Sequence, residues 1–160
     1  MLDHSKLSKS YKRGSHYKHY LSIHLILTVK YRRDILKYFG SDLISKINDI
    51  ATTSNFKVRT AQHDENHLHL LIDIDPSISV SQVIRRIKSQ TTMWAWDNYE
   101  GTCRKYFWKP GRKLLWSDGY FVCSVGDASR ERIEQYIANQ GKQLAFIHLS
   151  KEQVGFARAS

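Results

Sequence analysis

Two histidines separated by a single residue, His67 and His69, lie in a strand-like run of the chain. Because strand side chains alternate between faces, both imidazoles point to one side, with Cα atoms roughly 7 Å apart. Leu68 and Leu70 point to the other side, as in a strand that packs on a core. Neutral imidazole is the commonest metal ligand near pH 7, so the pair is a candidate metal site. An ordinary strand with two histidines is the more frequent explanation of this spacing.

A metal ion bound by this pair would need ligands from elsewhere, because Asp73 lies roughly 13 Å along the strand from His69. Tyr136 and Gln140 stand four positions apart in a predicted helix, which places them on one helical face. A phenol can act as a nucleophile that forms a covalent intermediate, and an amide oxygen can coordinate a hard cation. The neighbouring Ile133 offers the alternative that this helix packs through an apolar stripe, with Tyr136 at its edge.

The composition bounds the class of protein. With 160 residues, of which 41% are hydrophobic, the chain is long enough to bury the core of a single domain spanning 1–160. The formal charge of +10 favours a polyanionic partner such as nucleic acid, although a generally basic surface is the alternative. No apolar run approaches a membrane span of about 20 residues, and no signal-peptide core is present. We therefore expect a cytoplasmic protein without a membrane partner.

The apolar periodicity predicts an α+β fold. The order of strands and helices, βαββαβ, matches a ferredoxin-like antiparallel sheet with its helices on one face and an additional C-terminal helix. A basic N-terminal arm spans 1–19, and a tail of weak periodicity spans 143–160. A capping box of Ser79 and Gln82 predicts the start of the second helix. The predicted strands are 20–30, 56–62, 67–74 and 119–126; the predicted helices are about 41–55, 80–94 or beyond, and 130–140; 98–113 is predicted to be a loop.

Several ordered motifs carry a resemblance to a known family. The chain from about Tyr20 to Gln140 resembles the single-tyrosine HUH transposases of the insertion sequence 200/605 type, in which HUH stands for His-hydrophobic-His. The matching motifs are Lys30-Tyr31-Arg32-Arg33, His67-Leu68-His69-Leu70-Leu71, Arg85-Arg86-Ile87-Lys88, Trp116-Ser117-Asp118-Gly119-Tyr120-Phe121 with Ser124-Val125-Gly126, and Tyr136-Ile137-Ala138-Asn139-Gln140.

The resemblance implies a role for each candidate residue. His67 and His69 would be the HUH ligands of Mg²⁺ or Mn²⁺, Gln140 the third ligand, and Tyr136 the nucleophile. The protein would be a homodimer whose active site is shared, with the Tyr136 helix reaching the histidines of the partner subunit. The family commonly has Pro-Asp before the first histidine, where this chain has Glu65-Asn66, so a role for an acidic residue at that turn is in doubt.

The activity implied by the resemblance is transesterification of single-stranded DNA at the ends of an insertion sequence. A 5′-phosphotyrosine intermediate would conserve the bond energy, so no nucleotide cofactor is needed, and the sequence has no glycine-rich phosphate loop. Subterminal DNA hairpins would be recognised by basic side chains that contact the backbone. The DNA-binding candidates are Lys30, Arg32, Arg33, Arg85, Arg86 and Lys88.

Two other functions fit the same residues. A non-catalytic protein that binds nucleic-acid hairpins would use the same basic sheet and would not require the phenol of Tyr136. A domesticated relative of the transposases would apply the same chemistry to chromosomal palindromes.

Overall fold

The computed structural model describes residues 12–13, 18–19 and 21–139 of the chain. Two short strands, Lys12–Arg13 and Lys18–His19, pair with each other within the predicted N-terminal arm. The main sheet has strands β1 (Ser22–Thr28), β2 (Phe56–His63), β3 (His67–Ile74) and β4 (Phe121–Val125). The helices are α1 (Leu36–Thr52), α2 (Val80–Asn98), α3 (Glu100–Tyr106) and α4 (Asp127–Ala138), and Lys30–Arg32 form a 3₁₀ turn.

The four main strands form one antiparallel sheet in the order β2-β3-β1-β4. With α1 between β1 and β2, and α2 between β3 and β4, this is the split βαββαβ arrangement expected from the periodicity. The α+β, ferredoxin-like fold with an added C-terminal helix is therefore confirmed. Its central strands, β1 and β3, are adjacent, and β3 carries the histidine pair.

The two faces of the sheet are covered differently. One face packs against α1 and α2 through a continuous apolar core that includes Leu25, Leu70 and Ile87, all fully buried. The other face carries the histidines and is covered by α4 through a separate small cluster. The expectation that helices lie on one face therefore holds for α1 and α2, whereas the added helix lies on the opposite face.

Helix α1 begins at Leu36, earlier than the start near residue 41 predicted from Gly40 and Ser41. The glycine is interior and buried because the His63 ring of β2 packs directly against it. A Cβ atom at position 40 would lie 2.3 Å from atoms of that ring, so a larger residue requires the ring to move. The glycine that resembles a helix boundary is thus a point of close contact between helix and strand.

The predicted loop at 98–113 is wrong in its first half, which forms α3. Cys103 and Phe107 are buried four positions apart, and Glu100 forms an i,i+4 ion pair with Arg104 (2.6 Å). These contacts outweigh the weak helical propensity of the single glycine in the segment. In the second half of the segment, Trp108 is 83% exposed.

The start of the predicted long helix is explained by local chemistry. The capping box at the start of α2 is confirmed: the Ser79 side chain accepts from the backbone N–H of Gln82, and the Gln82 side chain accepts from the backbone N–H of Ser79.

Helix α4 begins at Asp127, three residues before the predicted start, with Gly126 as its N-cap. Among the helices described, none is both long and apolar enough to span a membrane.

Candidate metal and nucleophile site

The sheet face opposite α1 and α2 carries three histidines. His67 pairs with Thr28 of β1, and His69 pairs with Ile26, so these side chains share one face of the sheet. His24 lies two residues from Ile26 on β1 and therefore points to the same face. The site thus contains an imidazole that the His-x-His motif does not include.

The His69 ring is only 7% exposed and lies between two other rings. The His24 ring stacks on one side at a centroid distance of 5.9 Å and an interplanar angle of 24°. The Tyr136 ring approaches from α4, with centroids 6.4 Å apart and an edge-on orientation. The candidate nucleophile and one candidate ligand, separated by 67 positions in the sequence, are therefore neighbours in space.

The environment keeps all three imidazoles neutral near pH 7. Burial lowers the pKa of His69, and His67 lowers it further, while Asp64 acts in the opposite direction. Burial and then the Arg32 cation lower the pKa of His67. Burial, with His69 nearby, lowers the pKa of His24 to about 4. Neutral imidazole is the form that binds a metal ion, so the site favours the competent protonation state.

Helix α4 holds Tyr136 over the sheet through a small apolar cluster. Ile133 and Ile137 are buried against Leu71 of β3 and Val125 of β4, and the partly buried Tyr136 packs beside them. The apolar stripe considered as an alternative to a catalytic helix is therefore present together with the tyrosine–histidine contact. Within the single chain, α4 lies on its own sheet. Gln140, the predicted third ligand, lies outside the described residues.

The turn that follows β1 holds an arginine near the histidines. Val29 donates to the carbonyl of Asn66, and Lys30 donates to the carbonyl of Leu115. Tyr31 (φ 58°, ψ 19°) and Arg32 (φ 51°) then adopt left-handed conformations, which cost about 1–3 kcal/mol each for such residues. The exposed Arg32 side chain is close enough to lower the pKa of His67. Arg32 thus adds a cation at the edge of the site.

Both predicted DNA-binding lysines hold a loop of the protein, residues 117–119. Lys88 donates to the carbonyl oxygens of Ser117 (2.7 Å), Asp118 (3.0 Å) and Gly119 (3.3 Å), and burial lowers its pKa. Lys30 forms an ion pair with the Asp118 carboxylate at 2.6 Å. The motif residues of α2 and of the turn after β1 therefore meet at this loop. A contact of either lysine with DNA stays a prediction.

The other predicted cations are exposed. Arg33 follows the left-handed turn, and Arg85 and Arg86 lie on the outer surface of α2. Arg86 donates to the Ser54 hydroxyl at 2.9 Å, at the end of α1. Helix α2 covers the sheet face opposite the histidines, so any DNA that contacts Arg85, Arg86 and the candidate site extends well beyond that site.

Sequence reasoning missed two residues of the site. The side chain of His24 is on the face of β1 that points away from α1 and α2. Because β1 and β3 are neighbours in a ferredoxin-like sheet, this strand order could have predicted that His24 lies beside His69. Asp64 is the residue of the turn before His67 whose charge raises the pKa of both histidines. The acidic residue near the histidines is therefore Asp64. The position directly before His67, where the family commonly has aspartate, is Asn66 in this chain.

The family model described as "Transposase IS200 like" matches residues 17–140, which span the whole main sheet and α4. The chain belongs to the IS200-like transposase family. This assignment covers the residues of the strand, turn and helix motifs, and it makes DNA binding and transposition the activity of the family.

Two curated relatives are similar over most of this IS200-like transposase. The ISDra2 transposase TnpA of Deinococcus radiodurans is 28% identical over 130 residues, covering 81% of this chain and 90% of the relative. The transposase of insertion sequence element IS200 from Salmonella typhimurium is 25% identical over 120 residues, covering 73% and 74% of the two chains.

Solved structures share the fold of this IS200-like transposase. A crystal structure of a protein described as a transposase of Deinococcus radiodurans R1 has a TM-score of 0.65 at 26% identity, covering 81% of this chain and 97% of that one. A REP-associated tyrosine transposase bound to a REP hairpin has a TM-score of 0.56 at 14% identity, covering 79% and 72%. The second likeness supports the fold alone.

Proposed function

We propose that this protein cleaves and rejoins single-stranded DNA at insertion-sequence ends through a 5′-phosphotyrosine intermediate. The observation that carries the proposal is the approach of Tyr136 to His69, whose ring centroids are 6.4 Å apart on the sheet face that also bears His67. Family membership makes transposition the general activity, and this contact supplies a nucleophile beside candidate metal ligands.

The residues fit a divalent cation, Mg²⁺ or Mn²⁺. His67 and His69 are neutral and share one face, and Gln140 would contribute an amide oxygen. Among the described residues, no three His, Cys, Asp or Glu side chains are grouped to hold a metal ion. The bound cation would supply electrophilic stabilisation of a phosphate oxygen and would orient the scissile bond.

The reaction exchanges one phosphodiester for another. The Tyr136 oxygen attacks phosphorus, a Tyr–O–P bond forms, and the P–O3′ bond breaks. The phenol loses its proton, and the departing 3′ oxygen gains one, so a free 3′-hydroxyl remains. Another 3′-hydroxyl then attacks the phosphotyrosine, rejoins the strand and restores the phenol. Since bonds and charge balance in both steps, no nucleotide cofactor is required.

The DNA would be positioned by one cation beside the site and by others farther along the protein surface. Arg32 is the cation nearest the histidines, and Arg33, Arg85 and Arg86 are exposed for contacts with the backbone of a hairpin. The proposal extends to this chain the hairpin recognition of a protein of the same fold, which binds a REP hairpin. A non-catalytic hairpin binder would keep these cations and would not form a covalent product. A domesticated relative would lack subterminal hairpins flanking its gene.

The test is covalent capture. Wild-type protein is incubated with labelled hairpin-bearing single strands and Mg²⁺, and the products are separated under denaturing conditions. We expect a protein–DNA adduct together with a free 3′-hydroxyl, and we expect chelation of the metal to remove both. Binding of hairpins without any adduct, across varied element ends, supports the non-catalytic alternative.

We further propose that the active form is a homodimer with a shared site. Helix α4 is attached to its own sheet by four buried apolar side chains and follows β4 after a single residue, Gly126. The same small cluster can form between α4 and the equivalent sheet of a second copy. Such an exchange places Tyr136 against the histidines of the partner subunit.

Mixed dimers distinguish the two arrangements. Tyr136→Phe subunits are combined with His67→Ala subunits, and the yield of adduct is compared with that of each variant alone. A shared site predicts recovery of cleavage, because one of the two sites then contains an intact tyrosine and an intact histidine pair. Mixed dimers no more active than either variant indicate a site built within one chain.

A further inference from the structure

Two buried nitrogens at the site lack partners. His24 Nε2 and His69 Nδ1 are shielded from solvent. Within the described part of the chain, no protein atom forms a hydrogen bond with either nitrogen. Both belong to rings that stack at 5.9 Å between centroids. A buried polar atom without a partner costs about 1–3 kcal/mol, and two such atoms in adjacent rings need a common explanation.

Apolar residues would fill the His24 position at lower cost if packing were its only role. The strand already places Ile26 next to it on the same face, and Phe121 packs edge-on against the His24 ring. The histidine instead keeps a buried, neutral ring directly behind the candidate ligand His69. This combination indicates that His24 is present for hydrogen bonding by its ring nitrogen rather than for filling space in the core.

We propose that His24 is a positioning residue for His69, acting through one buried water. The water accepts a hydrogen bond from His69 Nδ1–H and donates one to His24 Nε2. Two N–O hydrogen bonds of about 2.9 Å each bring the nitrogens to roughly 5 Å, which is compatible with the observed ring separation. A water with two such partners meets the ordinary requirement of a polar buried site.

The bridge sets the tautomer of the ligand. With the proton held on Nδ1, the lone pair of His69 lies on Nε2, the nitrogen that would then bind the metal ion. Ligand histidines commonly donate their other N–H in this way, and loss of the acceptor weakens metal binding by about 10- to 100-fold. The effect on metal binding rests on the proposed function, in which His69 is a metal ligand. The tautomer of His69 is a property of the metal-free protein and can be measured independently.

The test uses matched variants of the full chain. His24→Gln keeps a polar atom near the Nε2 position, whereas His24→Phe keeps a ring and removes the acceptor. Protein labelled with ¹⁵N-histidine is examined without metal by long-range ¹H–¹⁵N correlation. The dissociation constant of Mn²⁺ is then measured by calorimetry for each protein. Thermal melting verifies that each variant is folded.

We expect His69 in wild type and in His24→Gln to carry its proton on Nδ1, and His24→Phe to shift it toward Nε2. The Mn²⁺ dissociation constant should rise roughly 10- to 100-fold in His24→Phe and stay near wild type in His24→Gln. A wild-type His69 protonated on Nε2 overturns the inference, and so does an unchanged tautomer in His24→Phe. Loss of the covalent adduct with an intact tautomer effect would instead refute only the proposed function.

Discussion

Tyr136→Phe is expected to abolish the covalent protein–DNA adduct and to lower strand cleavage by at least about 10⁴-fold, on the order of the loss when other enzymes lose a nucleophile. The reason is that phenylalanine has no oxygen to form the ester with phosphorus. The residues of the cluster around Tyr136 are all aliphatic, so none of them carries a nucleophilic group that could replace the phenol. They are Leu71, Val125, Ile133 and Ile137.

The same substitution should leave the fold intact. Phenylalanine keeps the ring that contacts His69 and the α4 cluster, so the free energy of unfolding should change by less than about 1.5 kcal/mol. Hairpin binding should be retained, since the basic residues are unchanged. The measurement pairs denaturing electrophoresis of the labelled strand with a binding titration on the same preparation.

Tyr38→Phe provides the matched control. Its hydroxyl lies 3.2 Å from the Tyr106 hydroxyl on the side of α1, and its ring is 54% exposed. Adduct formation by this control should equal that of wild type. If Tyr136→Phe still formed a stable adduct, another residue would be the nucleophile and the proposed chemistry would fail.

Acidification of the metal-free protein is expected to destabilise it by about 3 kcal/mol through His24 alone as the pH falls from 7 to 4. The folded protein holds the pKa of His24 at about 4, whereas an unfolded histidine titrates near 6.5. Between these values the unfolded chain binds more protons, so the free energy of unfolding rises with pH and falls with acid. About 2 kcal/mol of the loss falls between pH 7 and pH 5.

Urea unfolding at pH 7 and pH 5, in the presence of a chelator, measures this loss. His24→Gln removes the titrating imidazole and should reduce the dependence of the unfolding free energy on pH. The residual dependence has the same sign, because burial also lowers the pKa of His67 and His69. An equal pH dependence in wild type and His24→Gln would show that folding does not lower the pKa of His24.

The sequence predicts the sheet well because strand periodicity is a local property. The alternation of His67 and His69 with leucines determines both the strand and the face that bears the imidazoles. The apolar spacing in the last helix likewise predicts a packed stripe with Tyr136 beside it. These features depend on residues near one another in the chain.

The features that were missed depend on contacts between distant segments. Gly40 marks no helix boundary, because the ring of His63 occupies the space that a side chain would fill. The position of His24 beside His69 follows from strand order rather than from any motif. Lys88 resembles a free surface cation in its helix, yet three carbonyl groups from residues 117–119 surround its ammonium.

The close packing of Gly40 against His63 also constrains how this chain can diverge. Position 40 can accept a side chain only when position 63 loses its ring or turns it away, since the Cβ atom and the imidazole would occupy the same space. Position 63 lies at the end of β2, four residues before His67. The two positions are therefore expected to covary among relatives, and small residues at 40 should accompany large rings at 63.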